Sequence, residues 1–319
     1  ENRSYLKKIV SLSASRRYRC IVTRKNLLLT GSKGQLGSTF SLLFKSSPLV
    51  YKFNLHEVDI DDFDLLDQQA IPTRLTYFSP SIILNCGAYT AVDKAEDNRG
   101  SAEGVNSDSV GIISNWCAEN SCRLIHISTD FVFNGAKKTP YSPSDKANPL
   151  GVYGRTKLQG EKHILRDLPD SGAIVRTSWL YSEFRNNFVK TMLDLMSKKT
   201  ELNVVADQIG SPTSTHSLSR VLINLIQRED LSGVYHWCDG ASISWYEFAE
   251  QIKSCAMRQG ILNLNCRLRP VPTSDYPTKA QRPKYSVLDR SAIMDHLHID
   301  KTEWQSELDK VISKIESVG

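Results

Sequence analysis

The stretch from Asn26 to Gly37, NLLLTGSKGQLG, joins a short apolar run to a turn rich in glycine. Gly31, Gly34 and Gly37 follow the spacing G-x-x-G-x-x-G, and the apolar residues beyond them recur at helical intervals. This order predicts a strand, a tight turn and a helix. Glycine permits a close approach of the backbone to a pyrophosphate, whose charge suits a helix N-terminus. The glycines alone would also fit an ordinary turn, but their position at the first strand favours dinucleotide binding.

Alternating strands and helices surround this stretch. Apolar runs typical of buried strands lie at 81–86 (SIILNC), 123–128 (RLIHIS) and 173–177 (AIVRT). Segments with helical spacing lie between them, at 101–119 and 154–168. The alternation predicts an α/β protein with a Rossmann-like doubly wound parallel sheet at residues 26–180. Shorter segments punctuated by prolines then predict a smaller, discontinuous C-terminal substrate-binding lobe at 181–319, with some segments returning to the first domain.

The charge balance excludes some classes of partner. The chain has 40 basic and 35 acidic residues, but residues 1–25 hold eight of the basic and one of the acidic side chains. The rest of the chain therefore carries a net charge of −2, which argues against nucleic acid as a main partner. No apolar run approaches the roughly 20 residues of a membrane helix, so we expect no membrane partner.

The seven cysteines contain no C-x-x-C pair, and several lie in apolar runs. This usage is typical of buried free thiols in a reducing compartment, and we expect a cytoplasmic protein without a zinc site. The basic, serine-rich segment 1–25 permits three interpretations. It could be an organelle transit peptide, an arm for nucleic acid or a membrane surface, or a disordered extension or misassigned start, which we favour.

Tyr153 and Lys157 form the pattern Y-x-x-x-K near the start of the helix predicted at 154–168. The i, i+4 spacing places both side chains on one face, where an ammonium would stabilise a phenolate and lower the tyrosine pKa. Such a pair can protonate an oxygen as hydride reaches carbon. The spacing is common by chance, so its position after the 123–128 strand carries the information. Thr129, at the end of that strand, points toward the expected crevice and would hold the substrate oxygen.

Seven segments together resemble the dTDP-4-dehydrorhamnose reductase family of the extended short-chain dehydrogenases/reductases. They are NCGAYTAVDKAE (85–96), HISTDFVFNG (126–135), NPLGVYGRTKLQGEK (148–162), VRTSWLY (175–181), NNFVKTML (186–193), VADQIGSPT (205–213) and AQRPKYSVLD (280–289). The resemblance covers about residues 26–305 in order. It implies that NADPH or NADH reduces the C4 ketone of dTDP-4-dehydro-L-rhamnose to dTDP-L-rhamnose, for rhamnose-containing polysaccharides. The 181–319 lobe would then bind the sugar nucleotide.

The resemblance also implies roles for individual residues. Tyr153 would be the general acid, Lys157 would hold the nicotinamide ribose, and Thr129 would assist. The cofactor-binding set implied by the glycine turn and the resemblance is Gly31, Gly34, Gln35, Leu36, Gly37, Asp64, Leu65, Ala88, Tyr89, Thr90, Tyr153 and Lys157. The substrate-binding set is Thr129, Asp130, Trp179, Lys190 and Arg282. Trp179 could instead be a core aromatic, and the two basic residues, inferred from charge to balance the diphosphate, could equally be solvated surface groups.

Two departures from the family pattern leave questions open. Some family members form magnesium-linked dimers through interface glutamates, so the resemblance implies a homodimer. Thr39 stands where one of those glutamates is expected, which argues against magnesium here. Glu57 is the nearest acid to the end of the second strand and lies far along for binding the ribose diol of NADH. The preference between NADPH and NADH is therefore undecided from the sequence.

Two rival functions share the fold. A nucleotide-sugar epimerase or dehydratase is the first, although a dehydratase needs an acid pair after the threonine and here Asp130 is followed by Phe131. The second is a non-catalytic binding protein like the regulatory subunit of methionine adenosyltransferase. Relatives of that subunit lack the segment TAVDKAE, which is intact here at 90–96.

Overall fold

The computed structural model describes residues 24–263 and 265–315, so the interpretation of segment 1–25 lies almost wholly outside the described residues. The strands are β1 (Lys25–Thr30), β2 (Phe53–Val58), β3 (Ile82–Asn85), β4 (Arg123–Thr129), β5 (Gly172–Thr177), β6 (Leu180–Tyr181), β7 (Glu201–Val205), β8 (Ile209–Gly210), β9 (Thr213–Ser214), β10 (Gly233–His236), β11 (Ile243–Ser244) and β12 (Arg267–Val271). The helices are α1 (Gln35–Phe44), α2 (Ala70–Phe78), α3 (Val92–Ala95), α4 (Arg99–Glu103), α5 (Ser109–Glu119), α6 (Val152–Asp167), α7 (Phe188–Lys198), α8 (Thr215–Ile226), α9 (Trp245–Arg258), α10 (Ser291–Leu297) and α11 (Trp304–Ile312).

The central sheet is parallel, with the strand order β10-β5-β4-β3-β1-β2 in the described part of the chain. The chain runs outward from β1 to β2 and then crosses back to β3 on the other side of β1. This reversal opens a crevice at the carboxyl ends of β1 and β3, where open α/β sheets bind their ligands. The predicted Rossmann-like doubly wound sheet is confirmed.

Helices cover both faces of the sheet, which explains why its strands are apolar throughout. Residues 27–29 of β1 are leucines that point alternately to the two faces, and all three are fully buried. On one face they pack with Phe40 of α1 and Leu222 of α8. On the other face the core includes Ile113 of α5 and Ile164 of α6. The glycine-rich turn and the end of β4 are thus anchored in a rigid three-layer framework.

The single helix predicted at 101–119 is interrupted in the structure. A π-helical turn at Gly104–Asp108 separates α4 from α5. The wider turn lets the backbone meet α6, because a Cβ on Gly160 would lie 2.4 Å from the carbonyl oxygen of Asn106. None of the helices in the described ranges combines the length and apolar character needed to cross a membrane.

The C-terminal part of the chain contributes to two cores. Its strand β10 extends the central sheet by pairing with β5. Strands β7 and β12 pair separately and pack with α7, α9 and α11 in a second apolar cluster. Helix α9 begins with a capping box, in which Ser244 and Glu247 satisfy each other's backbone N–H groups. The second cluster stands beside the sheet as a separate lobe.

Candidate active site

The glycine-rich turn fits a bound diphosphate. Gly31 has a φ of +63°, and a Cβ there would lie 2.7 Å from the backbone nitrogen of Gly87. A Cβ on Gly37 would lie 2.2 Å from the carbonyl oxygen of Gly31. Helix α1 starts directly after Gly34, so the first-turn N–H groups of Gln35, Leu36 and Gly37 face the mouth of the turn. These groups and the helix dipole would hold the phosphates of a dinucleotide.

We expect Gly37→Ala to weaken NADPH binding by at least about tenfold, because the new methyl group must displace the backbone of Gly31 and Ser32. Fluorescence titration with NADPH measures the affinity, and thermal unfolding separates lost binding from lost folding. Gly100→Ala is the matched control, since a Cβ there meets nothing within 4 Å. Equal NADPH affinities in the two variants would contradict the assignment of the turn.

Other predicted cofactor residues lie around the same turn. Leu65 is buried, and its Cδ1 would lie 2.8 Å from a Cβ on Gly87. Asp64 precedes it and accepts a hydrogen bond from the N–H of Leu66. Ala88, Tyr89 and Thr90 follow Gly87 directly and are partly or fully exposed at the crevice. The structure thus brings the two sequence-distant groups of predicted residues to one place.

Asn106 is a residue that the sequence analysis missed. Its Oδ1 accepts from the N–H of Tyr89 at 2.9 Å, and its Nδ2 donates to the carbonyl oxygen of Tyr89 at 3.1 Å. The same amide donates to the Thr156 hydroxyl at 3.2 Å. Asn106 therefore fixes the crevice loop to the helix of Tyr153. No local sequence signal marks it, because the π-helical turn that aims its side chain is not readable from spacing.

A cavity of about 490 Å³ beside the glycine turn bears on the choice of cofactor. Its lining includes Glu57 and Asp62, and also Lys33 and Arg185. Lys33 forms an ion pair with Asp61, and Arg185 donates from Nε to the carbonyl oxygen of Lys33 at 2.7 Å. Acids favour a ribose diol and bases favour a 2′-phosphate, so this mixed lining is compatible with either NADH or NADPH.

Tyr153, Lys157 and Thr129 meet where α6 crosses the end of β4. A Cβ on Gly154 would lie 2.2 Å from the carbonyl oxygen of Phe131, so glycine lets the helix touch the segment after β4. The Tyr153 ring stands edge-on to Phe131, with the ring centroids 5.7 Å apart. The Thr129 side chain is buried, and its Oγ1 accepts from the N–H of Phe131. The three residues predicted as the catalytic group lie together at the crevice.

The pKa of the Tyr153 phenol differs from our expectation. Burial of its hydroxyl raises the pKa of Tyr153 to about 12, the neighbouring Thr129 hydroxyl acts in the lowering direction, and the Asp130 charge adds to the rise. Lys157 does not contribute the predicted lowering of this pKa. The reason is that the ammonium is directed at β4, toward His126 and the Ile127 carbonyl oxygen. Tyr153 is therefore protonated at neutral pH, which is the form that a general acid requires.

Lys157 is fully enclosed, with 1% of its surface exposed. Its Nζ lies 2.7 Å from the carbonyl oxygen of Ile127 and 2.9 Å from Nε2 of His126. Burial lowers the pKa of Lys157 to about 8, while Glu161 and Cys86 act in the raising direction. The lysine thus changes charge close to physiological pH, and any group that contacts it can shift that change.

A buried ion pair lies one helical turn beyond Lys157. Glu161 accepts from Nε and Nη2 of Arg176 at 2.9 and 2.7 Å, and also from the Ser128 hydroxyl at 2.5 Å. Both charged side chains are almost fully enclosed. The pair joins α6, β4 and β5 behind the catalytic group. The sequence analysis missed it, because only the fold brings Arg176 to Glu161.

Glu161→Gln is expected to lower the free energy of unfolding by about 3–5 kcal/mol, because it leaves the Arg176 charge buried without its counter-ion. Urea unfolding followed by circular dichroism measures the change. Asp194→Asn is the control, since Asp194 pairs with Lys198 on the surface and its loss should cost at most about 1 kcal/mol. A cost for Glu161→Gln no larger than that of the control would show that the buried pair does not stabilise the fold.

Asp130 follows Thr129 and is 2% exposed. Burial raises the pKa of its carboxyl group to about 6, while the neighbouring Ser286 and Thr129 hydroxyls act in the lowering direction. Its Oδ1 accepts from the Thr129 hydroxyl at 3.1 Å, whereas Oδ2 has no hydrogen-bond partner among the described residues. A buried acceptor left open at the crevice suits a hydroxyl-bearing ligand.

The other predicted substrate residues are less closely gathered. Trp179 is half-buried, has a φ of +48° and stacks on Trp245 with the ring centroids 3.5 Å apart. Its backbone conformation is uncommon for a bulky residue and is held by this aromatic packing. Lys190 donates from Nζ to the carbonyl oxygen of Glu183 at 3.1 Å. Arg282 forms a two-pronged ion pair with Asp93, at 3.0 and 2.6 Å, which neither sequence interpretation of Arg282 included.

The neighbourhood of Thr39 bears on the metal expectation. Thr39 is buried, and its hydroxyl lies 2.7 Å from that of Thr215 and donates to the carbonyl oxygen of Gln35. The Gln35 side chain in turn accepts from Ser182 and Asn187. No group of three or more His, Cys, Asp or Glu placed to hold a metal ion occurs within residues 24–263 and 265–315.

Comparison with known proteins identifies the family. The family described as RmlD substrate binding domain matches residues 25–317. The chain is 36% identical over 290 residues to a dTDP-4-dehydrorhamnose reductase of Aggregatibacter actinomycetemcomitans, covering 89% of this chain and 97% of the relative. It is 34% identical over 268 residues to a dTDP-4-keto-6-deoxy-D-glucose reductase of Streptomyces niveus, covering 83% and 88%. The solved structure of a Bacillus anthracis dTDP-4-dehydrorhamnose reductase in complex with NADP superposes with a TM-score of 0.82 at 31% identity, covering 91% and 99%.

These matches run through the central sheet and the C-terminal lobe alike, so they concern the whole described chain. The resemblance inferred from seven sequence segments is confirmed by the family match over residues 25–317. The chain belongs to the dTDP-4-dehydrorhamnose reductase family.

Proposed function

We propose that the chain uses NADPH or NADH to reduce the C4 ketone of dTDP-4-dehydro-L-rhamnose to dTDP-L-rhamnose, for rhamnose-containing polysaccharides. The observation that carries the proposal is the meeting of Tyr153, Lys157 and Thr129 at the crevice beside the glycine turn. Family membership supports the substrate class, and the B. anthracis relative in complex with NADP supports the cofactor class.

The catalytic roles follow from the chemistry of these side chains. A reduced nicotinamide, when bound, supplies the hydride that the C4 carbon receives. The Tyr153 hydroxyl donates a proton to the C4 oxygen, which leaves a phenolate and forms the new alcohol. Thr129 would donate a hydrogen bond to the same oxygen once its hydroxyl turns away from Asp130 Oδ1. Lys157 would stabilise the phenolate and hold the ribose hydroxyls. The ammonium N–H that neither His126 nor the Ile127 carbonyl oxygen engages would make these contacts.

The remaining site residues are assigned by position and charge. The open oxygen of Asp130 would accept a sugar hydroxyl, and Trp179 would pack against the sugar ring. Lys190 and Arg282 would offset diphosphate charge, in competition with the carbonyl oxygen of Glu183 and with Asp93. We further propose that residues 26–180 mainly bind the cofactor, and that the separate cluster of the C-terminal lobe mainly binds the sugar nucleotide.

The test is oxidation of NADPH and of NADH with enzymatically generated dTDP-4-dehydro-L-rhamnose, with product configuration at C4 determined by NMR. Parallel assays use dTDP-4-keto-6-deoxy-D-glucose, because the S. niveus relative is named for it. Oxidation that yields dTDP-L-rhamnose, and is faster with the first sugar, is the expected result. Faster turnover of the second sugar would overturn the substrate assignment. No oxidation of either cofactor would favour the non-catalytic binding protein.

Cellular setting and assembly are also proposed. We place the reaction in the cytoplasm, because the described cysteines are free thiols and most are buried. The homodimer expected from the resemblance stays a prediction, and sedimentation velocity with and without magnesium would measure it.

A further inference from the structure

A row of polar side chains crosses the sheet and ends on Lys157. The Thr30 hydroxyl donates to Asn85 Oδ1 at 2.6 Å. Asn85 Nδ2 lies 3.0 Å from His126 Nδ1, and His126 Nε2 lies 2.9 Å from Lys157 Nζ. Strand register explains the alignment, because Thr30 pairs with Asn85 and Asn85 pairs with His126 on successive strands. All three side chains therefore point to the face that α6 covers.

The row is closed to solvent. Thr30 is 2% exposed, Asn85 and His126 are 0% exposed, and Lys157 is 1% exposed. A proton cannot reach solvent through Thr30, whose hydroxyl also accepts from the N–H of Gly87. The row is consequently unsuited to conducting protons between the site and bulk water. Apart from the N–H of Gly87, these side chains exchange hydrogen bonds only with one another and with Lys157 among the described residues.

Donor and acceptor balance gives the row two arrangements. In the first, Asn85 Nδ2 donates to His126 Nδ1, the histidine carries its proton on Nε2, and Nε2–H points at an uncharged Lys157 amine. In the second, the Asn85 amide is turned over, Oδ1 accepts from His126 Nδ1–H, and Nε2 accepts from the Lys157 ammonium. The histidine is neutral in both, because burial and the Lys157 charge hold the His126 pKa well below its ordinary value.

We infer that His126, held by Asn85 and Thr30, is a positioning residue for Lys157, and that the direction of hydrogen bonding along the row sets whether the lysine keeps its proton. This inference rests on the proposed role of Lys157 in the reaction. In the second arrangement His126 and the Ile127 carbonyl oxygen occupy two of the three ammonium donors, so the third is free for the crevice.

The other groups around Lys157 are consistent with control of its protonation state by His126. On its own helix Tyr153 precedes it and Glu161 follows it, and the Glu161 charge is already paired with Arg176. From the end of β3, Cys86 faces the lysine as a neutral thiol, because burial raises its pKa to about 12. From β4 the facing groups are His126 and the Ile127 carbonyl oxygen. Among the described residues only His126 and the Ile127 carbonyl oxygen lie within hydrogen-bond distance of Nζ, and of these two only His126 can either donate to Lys157 or accept from it.

The test is the pH dependence of kcat/KM and of the NADPH dissociation constant in His126→Phe. In the parent chain both should deteriorate as the pH rises through about 8, where Lys157 loses its proton. The phenylalanine keeps the ring but removes the acceptor that supports the ammonium. We expect this alkaline limb, the pH range over which kcat/KM and NADPH affinity fall, to move to lower pH by about one to two units. His126→Gln, which restores an acceptor, should bring the limb back toward its original position.

His236→Phe is the matched control, since His236 is equally buried but contacts the Tyr141 carbonyl oxygen and Arg176 rather than Lys157. It should leave the alkaline limb in place. A limb that coincides in His126→Phe, the control and the parent chain would overturn the inference. Cofactor affinity is measured without a sugar, so a failed dTDP-sugar reaction would reject the proposed substrate and still leave this test decisive.

Thr30→Val supplies a second test, in which the alkaline limb is expected to move in the opposite direction. It tests the coupling along the row even if His126→Phe does not fold. The Thr30 hydroxyl donates to Asn85 Oδ1 and so favours the arrangement with an uncharged lysine. Removing that donor should let the amide turn over and move the alkaline limb of NADPH affinity to higher pH. An unchanged limb, or one displaced to lower pH, would contradict coupling along the row.

Discussion

Tyr153→Phe is expected to lower kcat by about two to four orders of magnitude, the range found for removal of a positioned proton donor. The variant loses only the hydroxyl, whose proton the nascent alcohol would otherwise receive. Because burial raises the pKa of Tyr153 to about 12, this hydroxyl keeps its proton throughout the neutral range. Steady-state NADPH oxidation measures kcat, and NADPH titration should show an affinity within about threefold of the parent value.

Tyr181→Phe controls for the loss of a buried phenol elsewhere. Tyr181 is fully buried, its hydroxyl has no hydrogen-bond partner among the described residues, and it packs against Phe248 in the C-terminal lobe. Its removal should leave kcat within about twofold. Turnover by Tyr153→Phe within tenfold of the parent chain would remove Tyr153 from the role of acid. In that case Asp130, whose pKa burial raises to about 6, would be the next acid to test.

The predictable part of this fold is the part with local signals. The run at 26–30 is apolar on both faces and is followed at once by glycines, so strand, turn and helix follow from neighbouring residues. The i, i+4 spacing of Tyr153 and Lys157 places them on one helical face whatever the surroundings. The end of β4 then had to lie beside them, because the carboxyl ends of parallel strands share one edge.

The parts that could not be predicted depend on contacts between distant segments. The short strand Gly233–His236 joins the sheet only because β5, about sixty residues earlier, offers an open edge. The direction of Lys157 is set by His126, and the partner of Arg282 is Asp93, far away in the sequence. Spacing identifies which residues carry chemistry, whereas packing decides which atom each of them faces.

The same distinction explains the revised electrostatics of the site. Sequence spacing predicted that Lys157 lowers the Tyr153 pKa, which requires the ammonium to face the phenol. In the folded chain the ammonium faces β4. Burial shifts the two pKa values in opposite directions, because it raises the pKa of the Tyr153 phenol and lowers the pKa of the Lys157 amine. The folded chain therefore holds a neutral acid, Tyr153, beside a lysine whose pKa is about 8.

Lys157→Met is the variant expected to affect binding and turnover together. Methionine keeps the length of the stem but removes the ammonium. NADPH affinity should fall by about tenfold to a hundredfold, the value of a charge-assisted hydrogen bond, and kcat by a further hundredfold or more. Lys162→Met is the control, since Lys162 lies on the exposed side of the same helix. Unchanged affinity and unchanged turnover in Lys157→Met would each remove one of the two proposed roles.

Stability against pH gives this variant a readout that is independent of any substrate. Burial lowers the Lys157 pKa from 10.5 to about 8 in the folded chain. Between these pH values the unfolded chain binds one more proton than the folded chain, so the free energy of unfolding rises with pH across that window. Below about pH 8 the folded chain carries the cost of a buried charge, which Lys157→Met removes. The variant should therefore gain stability relative to the parent chain at pH 7, and this advantage should shrink as the pH approaches 10.

An advantage that does not vary with pH, measured by urea unfolding at both values, would show that Lys157 is not titrating in the folded protein. Its proposed sensitivity to the hydrogen bonds of His126 would then lose its basis.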